Sequence, residues 1–237
     1  MKTASFIIDE LQSVASTEKA AHLSRFFKTG PGEYGEGDRF LGIPVPLTRN
    51  IAKANIDTPL EELQILLHSP WHEARLCALL ILVERFKKKK TTDEERCNIY
   101  QFYLKNTRHC NNWDLVDLSC PTIVGGYLLH QPDHSLLYRL AESDNLWEQR
   151  IAIVSTIALI RHDQFDDPLA LSRKLMNHKH DLMHKAVGWM LREIGKRSRD
   201  VLTEFLDEYA TRLPRTALRY AIEHYPEEER QDFLRKK

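Results

Sequence analysis

The sequence WHEARLCALLIL, residues 71–82, is the first of three similar segments in the chain. The other two are WEQRIAIVSTIAL from Trp147 and LMHKAVGWMLREI from Leu182. Each carries a basic residue and, two positions later, a small or apolar one; these pairs are Arg75 and Cys77, Arg150 and Ala152, and Lys185 and Val187. Three such segments indicate an internal repeat.

An amphipathic segment precedes each of the three repeat segments. The preceding segments are PLEELQILLHS from Pro59, HSLLYRLAESD from His134 and PLALSRKLMNH from Pro168. Their apolar residues recur mostly at intervals of three and four, which is typical of short helices. The repeating unit is therefore a helix pair of about 35 to 40 residues, as in HEAT repeats. We predict an all-α, HEAT-like helical-repeat solenoid whose second helices line a concave surface.

Helix-start signals agree with this prediction. Thr58–Glu61 and Thr92–Glu95 have the pattern of capping boxes, and Ser69 precedes a proline that suits the first helical position. The run Lys87–Lys90 suits a helix end, where cations interact favourably with the helix dipole. Strand signals are scarce by comparison.

The composition is that of a soluble globular protein, with 42% hydrophobic and 29% charged residues among 237. Because 34 basic residues balance 34 acidic ones, any nucleic-acid binding must rest on a local basic face. No apolar run approaches the roughly 18 residues of a membrane span. We expect a single domain over residues 1–237 that is monomeric and cytoplasmic.

The four cysteines are dispersed and include no C-x-x-C pair; they are Cys77, Cys97, Cys110 and Cys120. We interpret them as reduced structural thiols. His109 beside Cys110 supplies two potential metal ligands, whereas a structural zinc site needs four. We therefore expect no metal site.

Residues 28–46, KTGPGEYGEGDRFLGIPVP, hold five of the nine glycines and three of the ten prolines. This composition predicts an extended loop between N-terminal helices. Long loops inside compact domains are often functional. The alternative is a connector that is packed by Phe40, Leu41 and Ile43.

Two segments carry candidate functional residues. In residues 182–199 a spacing of 4, 3, 4 and 3 places five residues on one helix face; they are Lys185, Trp189, Arg192, Lys196 and Arg199. This basic face with one tryptophan suits phosphate and base contacts. Trp189 as a boundary residue among solvated charges is the alternative.

The second segment is NNWDLVDLS, residues 111–119, where Trp113 and Asp117 share a helix face. The other positions three and four residues from Asp117 hold Asp114, Cys120 and Pro121, none of which is a cation. An acid among such neighbours is either paired across helices or kept for function.

These motifs together resemble the AlkD family of alkylpurine DNA glycosylases. The resemblance rests on Trp-Asp-Leu-Val-Asp at 113–117, Trp-x-x-Arg at 147–150, Lys-Ala-x-Gly-Trp at 185–189 and the opening FFKTGPGEYGEGDRFLGIPVP. It implies a solenoid that removes N3- and N7-alkylated purines from duplex DNA, without a cofactor and without flipping the lesion into a pocket. The residues that it implicates are Asp117, Arg150, Trp113 and Trp189.

The resemblance also implies an N-terminal aromatic residue near the DNA, either Phe27 or Tyr34. We expect Asp117 to stabilise an oxocarbenium-like sugar and Arg150 to hold a phosphate. Because Arg75 and Lys185 occupy equivalent repeat positions, Arg150 has an alternative role in bracing successive repeats. The alternative function is that of a noncatalytic HEAT-like module that binds DNA or a protein.

Overall fold

The computed structural model describes residues 2–236 and is built from helices. Within that range the only strand-like pairing is an isolated bridge between Arg39 and Trp71. The prediction of an all-α helical-repeat fold is therefore confirmed. The contacts of the chain group it into two compact units, Met1–Ile123 and Val124–Lys237. A single domain over residues 1–237 stays a prediction.

The first unit consists of short helices around one longer helix, α5. Its helices are α1 (Ala4–Ser13), α2 (Thr17–Phe26), α3 (Val45–Ala54), α4 (Leu60–Leu67), α5 (His72–Lys87), α6 (Asp93–Lys105) and α7 (Trp113–Asp117). Helices α3 and α4 pack on α5, and α1 contacts all three. Every residue from His72 to Val83 is buried, so α5 forms the centre of this unit.

The second unit is organised around α13. Its helices are α8 (Gly126–Leu128), α9 (Ser135–Ala141), α10 (Leu146–Ser155), α11 (Ile157–Ile160), α12 (Asp166–Leu175), α13 (Asp181–Arg197), α14 (Arg199–Tyr209), α15 (Arg215–Ala221) and α16 (Glu227–Arg235). Helix α13 packs against α10, α12, α14 and α15. The predicted pairs α4 with α5, α9 with α10 and α12 with α13 are all present and in contact.

Several predicted helix boundaries are wrong. Thr58 does not cap α4, because its hydroxyl donates to the Asn55 carbonyl while Pro59 takes the N-cap position. Ser69 lies two residues before the actual N-cap of α5, which is Trp71. At Thr92 the predicted capping box is confirmed, with both reciprocal hydrogen bonds to Glu95.

The single basic helix face over residues 182–199 also needs correction. Helix α13 ends at Arg197, and Ser198 adopts an extended conformation with φ −145° and ψ 104°. The Ser198 hydroxyl then accepts from the backbone of Val201 and caps α14. Arg199 is therefore the first residue of α14 and does not continue the face that carries Lys185 and Trp189.

The glycine-rich segment is a loop between α2 and α3, as predicted. Its second half is buried through Phe40, Leu41 and Ile43. Gly42 has a φ of +84°, and a Cβ built there would lie 2.1 Å from the Ser16 carbonyl oxygen. Only glycine fits this position, because both the backbone conformation and the space exclude a side chain.

All four cysteines are reduced thiols, and Cys77, Cys110 and Cys120 are buried. Burial raises the pKa of the Cys77 and Cys110 thiols to about 12, which keeps them protonated and unreactive. Across residues 2–236, no helix combines the length and apolar character that crossing a bilayer requires.

Replacing Gly42 with Ala should strongly destabilise the first unit, because the new methyl group would collide with α2 backbone. Gly37 is a matched control, since it has the same φ of +84° but open space around its Cβ position. We expect Gly37→Ala to cost about 1–2 kcal/mol from the left-handed backbone alone. Thermal unfolding should show a clearly larger loss for Gly42→Ala, and equal losses would contradict the proposed steric cause.

Candidate active site

Glu73 fixes the glycine-rich loop on the first turn of α5. Its side chain is buried, and its two carboxylate oxygens accept hydrogen bonds from the backbone N–H groups of Leu41 (2.8 Å), Gly42 (2.8 Å) and Ile43 (3.1 Å). The charge also lies near the N-terminus of α5, where the helix dipole favours an anion. A buried carboxylate satisfied in this way holds the loop in one conformation.

His72 joins the same loop to α7. Its Nδ1 lies 3.0 Å from Asp38 Oδ2 in the loop, and its Nε2 lies 2.8 Å from Asp114 Oδ2 in α7. Arg75 forms a further ion pair with Asp38 and donates to the Ser69 carbonyl at 2.8 Å. Because both ring nitrogens face carboxylate oxygens, His72 satisfies both partners only as an imidazolium.

The pKa values follow from this network. Burial alone would lower the pKa of His72, but the charges and hydrogen bonds of Asp114 and Asp38 outweigh it and raise the pKa to about 9. Burial would likewise raise the pKa of Asp38, but His72 and Arg75 lower it below its usual value. His72 is therefore an imidazolium and Asp38 a carboxylate at neutral pH.

A row of packed rings extends from His72 to Trp113, and within it Phe27 also contacts His72 directly, at a centroid distance of 5.2 Å. His72 stacks on Phe40 with a centroid distance of 4.5 Å, Phe40 on Phe27 at 5.0 Å, and Phe27 on Trp113 at 5.1 Å. Phe26 packs edge-on against Trp113 at 6.0 Å. The row connects α5, the loop, α2 and α7, and it fixes the plane of the Trp113 indole.

These rings line a cavity of about 410 Å³ within the first unit. Its apolar walls come mainly from α2, the loop and α5, and Asp114 and Asp117 contribute carboxylates from α7. Asp117 is half-buried and lies one helical turn after Trp113. The structure therefore brings the predicted residues Trp113 and Asp117 to one cavity, in which a carboxylate stands beside aromatic faces.

Two aromatic candidates from the N-terminal region are now placed. Phe27 lies in the cavity wall and stacks on Trp113, whereas Tyr34 is half-buried and is absent from the residues that line this cavity. Phe26, which was not among the predicted site residues, also lines the cavity and remains 57% exposed. A ring this exposed is available to a ligand.

Arg150 and Trp189 lie in the second unit. Arg150 is buried in α10, and its Nη1 donates to the Leu182 carbonyl at 2.6 Å. This hydrogen bond joins α10 to the first turn of α13, as the bracing alternative expects. Trp189 is half-buried in α13, one residue after Gly188, where a Cβ would come within 2.5 Å of the Ala217 carbonyl oxygen. Gly188 thus permits the close packing of α13 on α15.

The four predicted basic DNA contacts of the second unit each pair with a carboxylate. Their ion pairs are Lys185 with Asp181 (2.8 Å), Arg192 with Glu223, Lys196 with Glu193 (2.8 Å) and Arg199 with Glu229. Arg199 also lies over the ring of Tyr225, 4.8 Å from its centroid. Any phosphate contact at these residues must therefore compete with a neighbouring acid.

The fold and this cavity define an all-α helical-repeat protein with an aromatic and acidic cavity. A solved structure described as a predicted DNA alkylation repair enzyme from Enterococcus faecalis is similar, with a TM-score of 0.67 over 90% of this chain and 97% of its own. At 19% sequence identity this similarity concerns the fold. No curated protein matches the chain.

Residues 7–225 match the model of the DNA alkylation repair enzyme family, and the chain belongs to that family. The resemblance to DNA alkylation repair proteins drawn from the motifs is thereby confirmed. Membership assigns the chain an enzymatic role in DNA repair, with DNA as its substrate.

The His72 network predicts a pH-dependent stability. Because the folded pKa of about 9 exceeds the ordinary value of 6.5, the stabilisation is complete below about pH 6.5 and is lost as pH rises through 9. We expect the difference in unfolding free energy between wild type and His72→Gln to shrink by about 3 kcal/mol across this window, at 1.36 kcal/mol per pKa unit.

Chemical denaturation at several pH values measures this difference. His134, whose pKa is also raised beside Asp167, is present in both proteins, so its contribution cancels. A difference between the two proteins that stays constant from pH 6.5 to 9.5 would contradict the assignment of His72 as an imidazolium.

Proposed function

We propose that this protein is a DNA glycosylase that hydrolyses the N-glycosidic bond of N3- and N7-alkylated purines in duplex DNA. The observation that carries the proposal is the half-buried Asp117 in a cavity whose walls include Trp113, Phe27 and Phe26. Family membership supplies the context of alkylation damage.

The chemistry of the lesion requires only one catalytic carboxylate. A purine alkylated at N3 or N7 carries a positive charge and departs as a neutral base, so no general acid is needed. As the bond breaks, the sugar becomes oxocarbenium-like, and the anionic Asp117 stabilises this charge and positions the attacking water. No metal or organic cofactor takes part in the proposed reaction.

The aromatic residues have a role that matches their placement. The faces of Trp113 and Phe26 are suited to contact the deoxyribose and to favour a cationic centre through their ring electrons. The stacking of Trp113 on Phe27 fixes the indole before substrate arrives. Such preorganisation contributes to the rate because the site does not have to reorder during the reaction.

For the second unit we propose contacts with the DNA backbone. Trp189 and the cations of α13 and α14 are the candidates for such contacts. Arg150 is a further candidate, and its hydrogen bond to the Leu182 carbonyl orients its guanidinium group. A single ion pair at the protein surface contributes little to the stability of the fold. DNA phosphates can therefore displace the acids that pair with these cations. Tyr34 remains a proposed DNA contact from the loop.

Release of an alkylated base from methylated duplex DNA tests the proposed activity. Purified protein with EDTA present should release N7-methylguanine or N3-methyladenine and leave undamaged purines in place. Chromatography of the released bases gives the rate. Release no faster than the spontaneous reaction would refute the glycosylase and favour a noncatalytic module.

Asp117→Asn should reduce the excision rate by roughly 100-fold or more, because the charge acts on the transition state. DNA affinity and melting temperature should change little. Glu84→Gln is the matched control, since Glu84 pairs with Arg49 at 3.1 Å and does not line the cavity. An Asp117→Asn protein with wild-type turnover per folded molecule would exclude the catalytic role.

The basic residues of α13 give a paired prediction. Lys196→Ala should weaken binding of damaged and undamaged DNA alike and reduce the slope of log affinity against log salt by about one unit. Glu193→Gln should strengthen binding, because Glu193 lies 2.8 Å from Lys196 and 3.6 Å from Arg192. Fluorescence anisotropy measures both, and unchanged affinities in both variants would remove this face from the DNA site.

A further inference from the structure

Asp117 and Trp113 belong to a helix that needs outside support. Helix α7 has only five residues, and helices this short are not stable by themselves. Its placement in the first unit must therefore come from contacts with neighbouring elements. The side chains that provide these contacts control where the carboxylate and the indole stand in the cavity.

His72 provides one such contact from the centre of the unit. Its Nε2 lies 2.8 Å from Asp114 Oδ2, while the other carboxylate oxygen of Asp114 accepts from the Leu115 backbone at 2.9 Å. Asp114 is thus held at both oxygens, one by α5 and one by α7 itself. Asp114 directly follows Trp113 and precedes Asp117 by three residues, so its anchoring fixes both.

The opposite side of the imidazole is anchored to the loop. Nδ1 lies 3.0 Å from Asp38 Oδ2, and the same oxygen accepts a longer contact of 3.4 Å from the Asn112 amide, just before α7. The backbone N–H of His72 also donates to the Arg39 carbonyl at 2.8 Å. Loop, α5 and α7 therefore meet at one side chain, which is 2% exposed.

We propose that His72 is a positioning residue for the excision reaction: by bridging Asp38 and Asp114 it fixes α7 and thereby the Asp117 carboxylate and the Trp113 indole. This inference rests on the proposed glycosylase function. His72 acts through Asp114 and the ring row, so its loss displaces the reacting groups rather than removing one.

The charge state of His72 makes this positioning sensitive to pH. The charged groups that face it are Asp38 from the loop and Asp114 from α7, and Arg75 of its own helix faces Asp38. A neutral imidazole can donate to only one of the two carboxylates. Deprotonation therefore releases either the loop or α7, and excision should decline as pH rises through the range in which His72 titrates.

The test compares His72→Gln with His134→Gln. His134 is a matched control in the second unit, because its ring nitrogens contact Asp167 Oδ2 at 2.6 Å and the Leu128 carbonyl at 3.0 Å. Under single-turnover conditions on methylated duplex DNA, His72→Gln should lower the excision rate constant by about tenfold or more, with DNA affinity within about twofold of wild type. His134→Gln should excise at the wild-type rate.

The pH profile adds a readout that a purely structural role would leave unchanged. The wild-type rate is normalised to that of His72→Gln at each pH, so that the pH dependence of the lesion chemistry cancels in the ratio. This ratio should fall above about pH 8, because His72 then begins to lose its proton. In Asp38→Asn the decline should begin at lower pH, since one of the two carboxylates that raise the pKa of His72 is then neutral. A flat ratio in both proteins would overturn the proposal.

An NMR measurement separates this inference from the proposed function. The indole N–H signal of Trp113, assigned from a Trp113→Phe spectrum, should shift in His72→Gln and stay in place in His134→Gln. If wild type excises but His72→Gln matches its rate per folded molecule with an unchanged indole signal, His72 is only structural. If wild type releases no base, the glycosylase proposal fails, and the indole signal alone decides whether His72 positions Trp113.

Discussion

The first unit depends on how the buried first turn of α5 satisfies its charges. Helix α5 is buried from His72 to Val83, yet this buried stretch begins with His72 and Glu73. Burying these groups without partners would cost several kcal/mol each, so the loop has to supply the partners. Glu73 accepts hydrogen bonds from three backbone N–H groups of the loop, and His72 pairs with two carboxylates. The loop is thus held in place by the requirements of the core helix.

The cavity follows from that constraint. Once the loop is held, Phe40 lies over His72 and completes the row of rings that ends at Trp113. Asp117 then stands beside rigid aromatic faces and not in open solvent, where its charge would be screened. An electrostatic effect on a developing sugar cation requires such a preorganised environment. The same groups therefore account for the stability of the loop and for the chemistry proposed at the cavity.

Sequence patterns predicted the parts of the molecule that are local. The helix pairs, the loop and the shared face of Trp113 and Asp117 all follow from spacings within a few residues. His72 and Glu73 escaped prediction because their partners lie 30 to 42 residues away in the chain, and adjacent polar residues at a helix start look ordinary. The continuous basic face failed at Ser198, whose capping hydrogen bond ends one helix and begins another. Arg192 and Arg199 pair with Glu223 and Glu229, which lie beyond the end of α14. Residue spacing within α13 and α14 could not predict these pairs.

In the proposed reaction the whole alkylated base leaves the DNA as Asp117 stabilises the sugar. Mass spectrometry of a duplex oligonucleotide with a single N7-methylguanine tests this reaction, because it shows which bond has broken. We predict that the modified strand loses the methylated base, gains a hydroxyl group at the sugar and stays unbroken until alkali is added. A strand that keeps its full mass, or that loses the methyl group alone, would contradict the proposed glycosylase reaction.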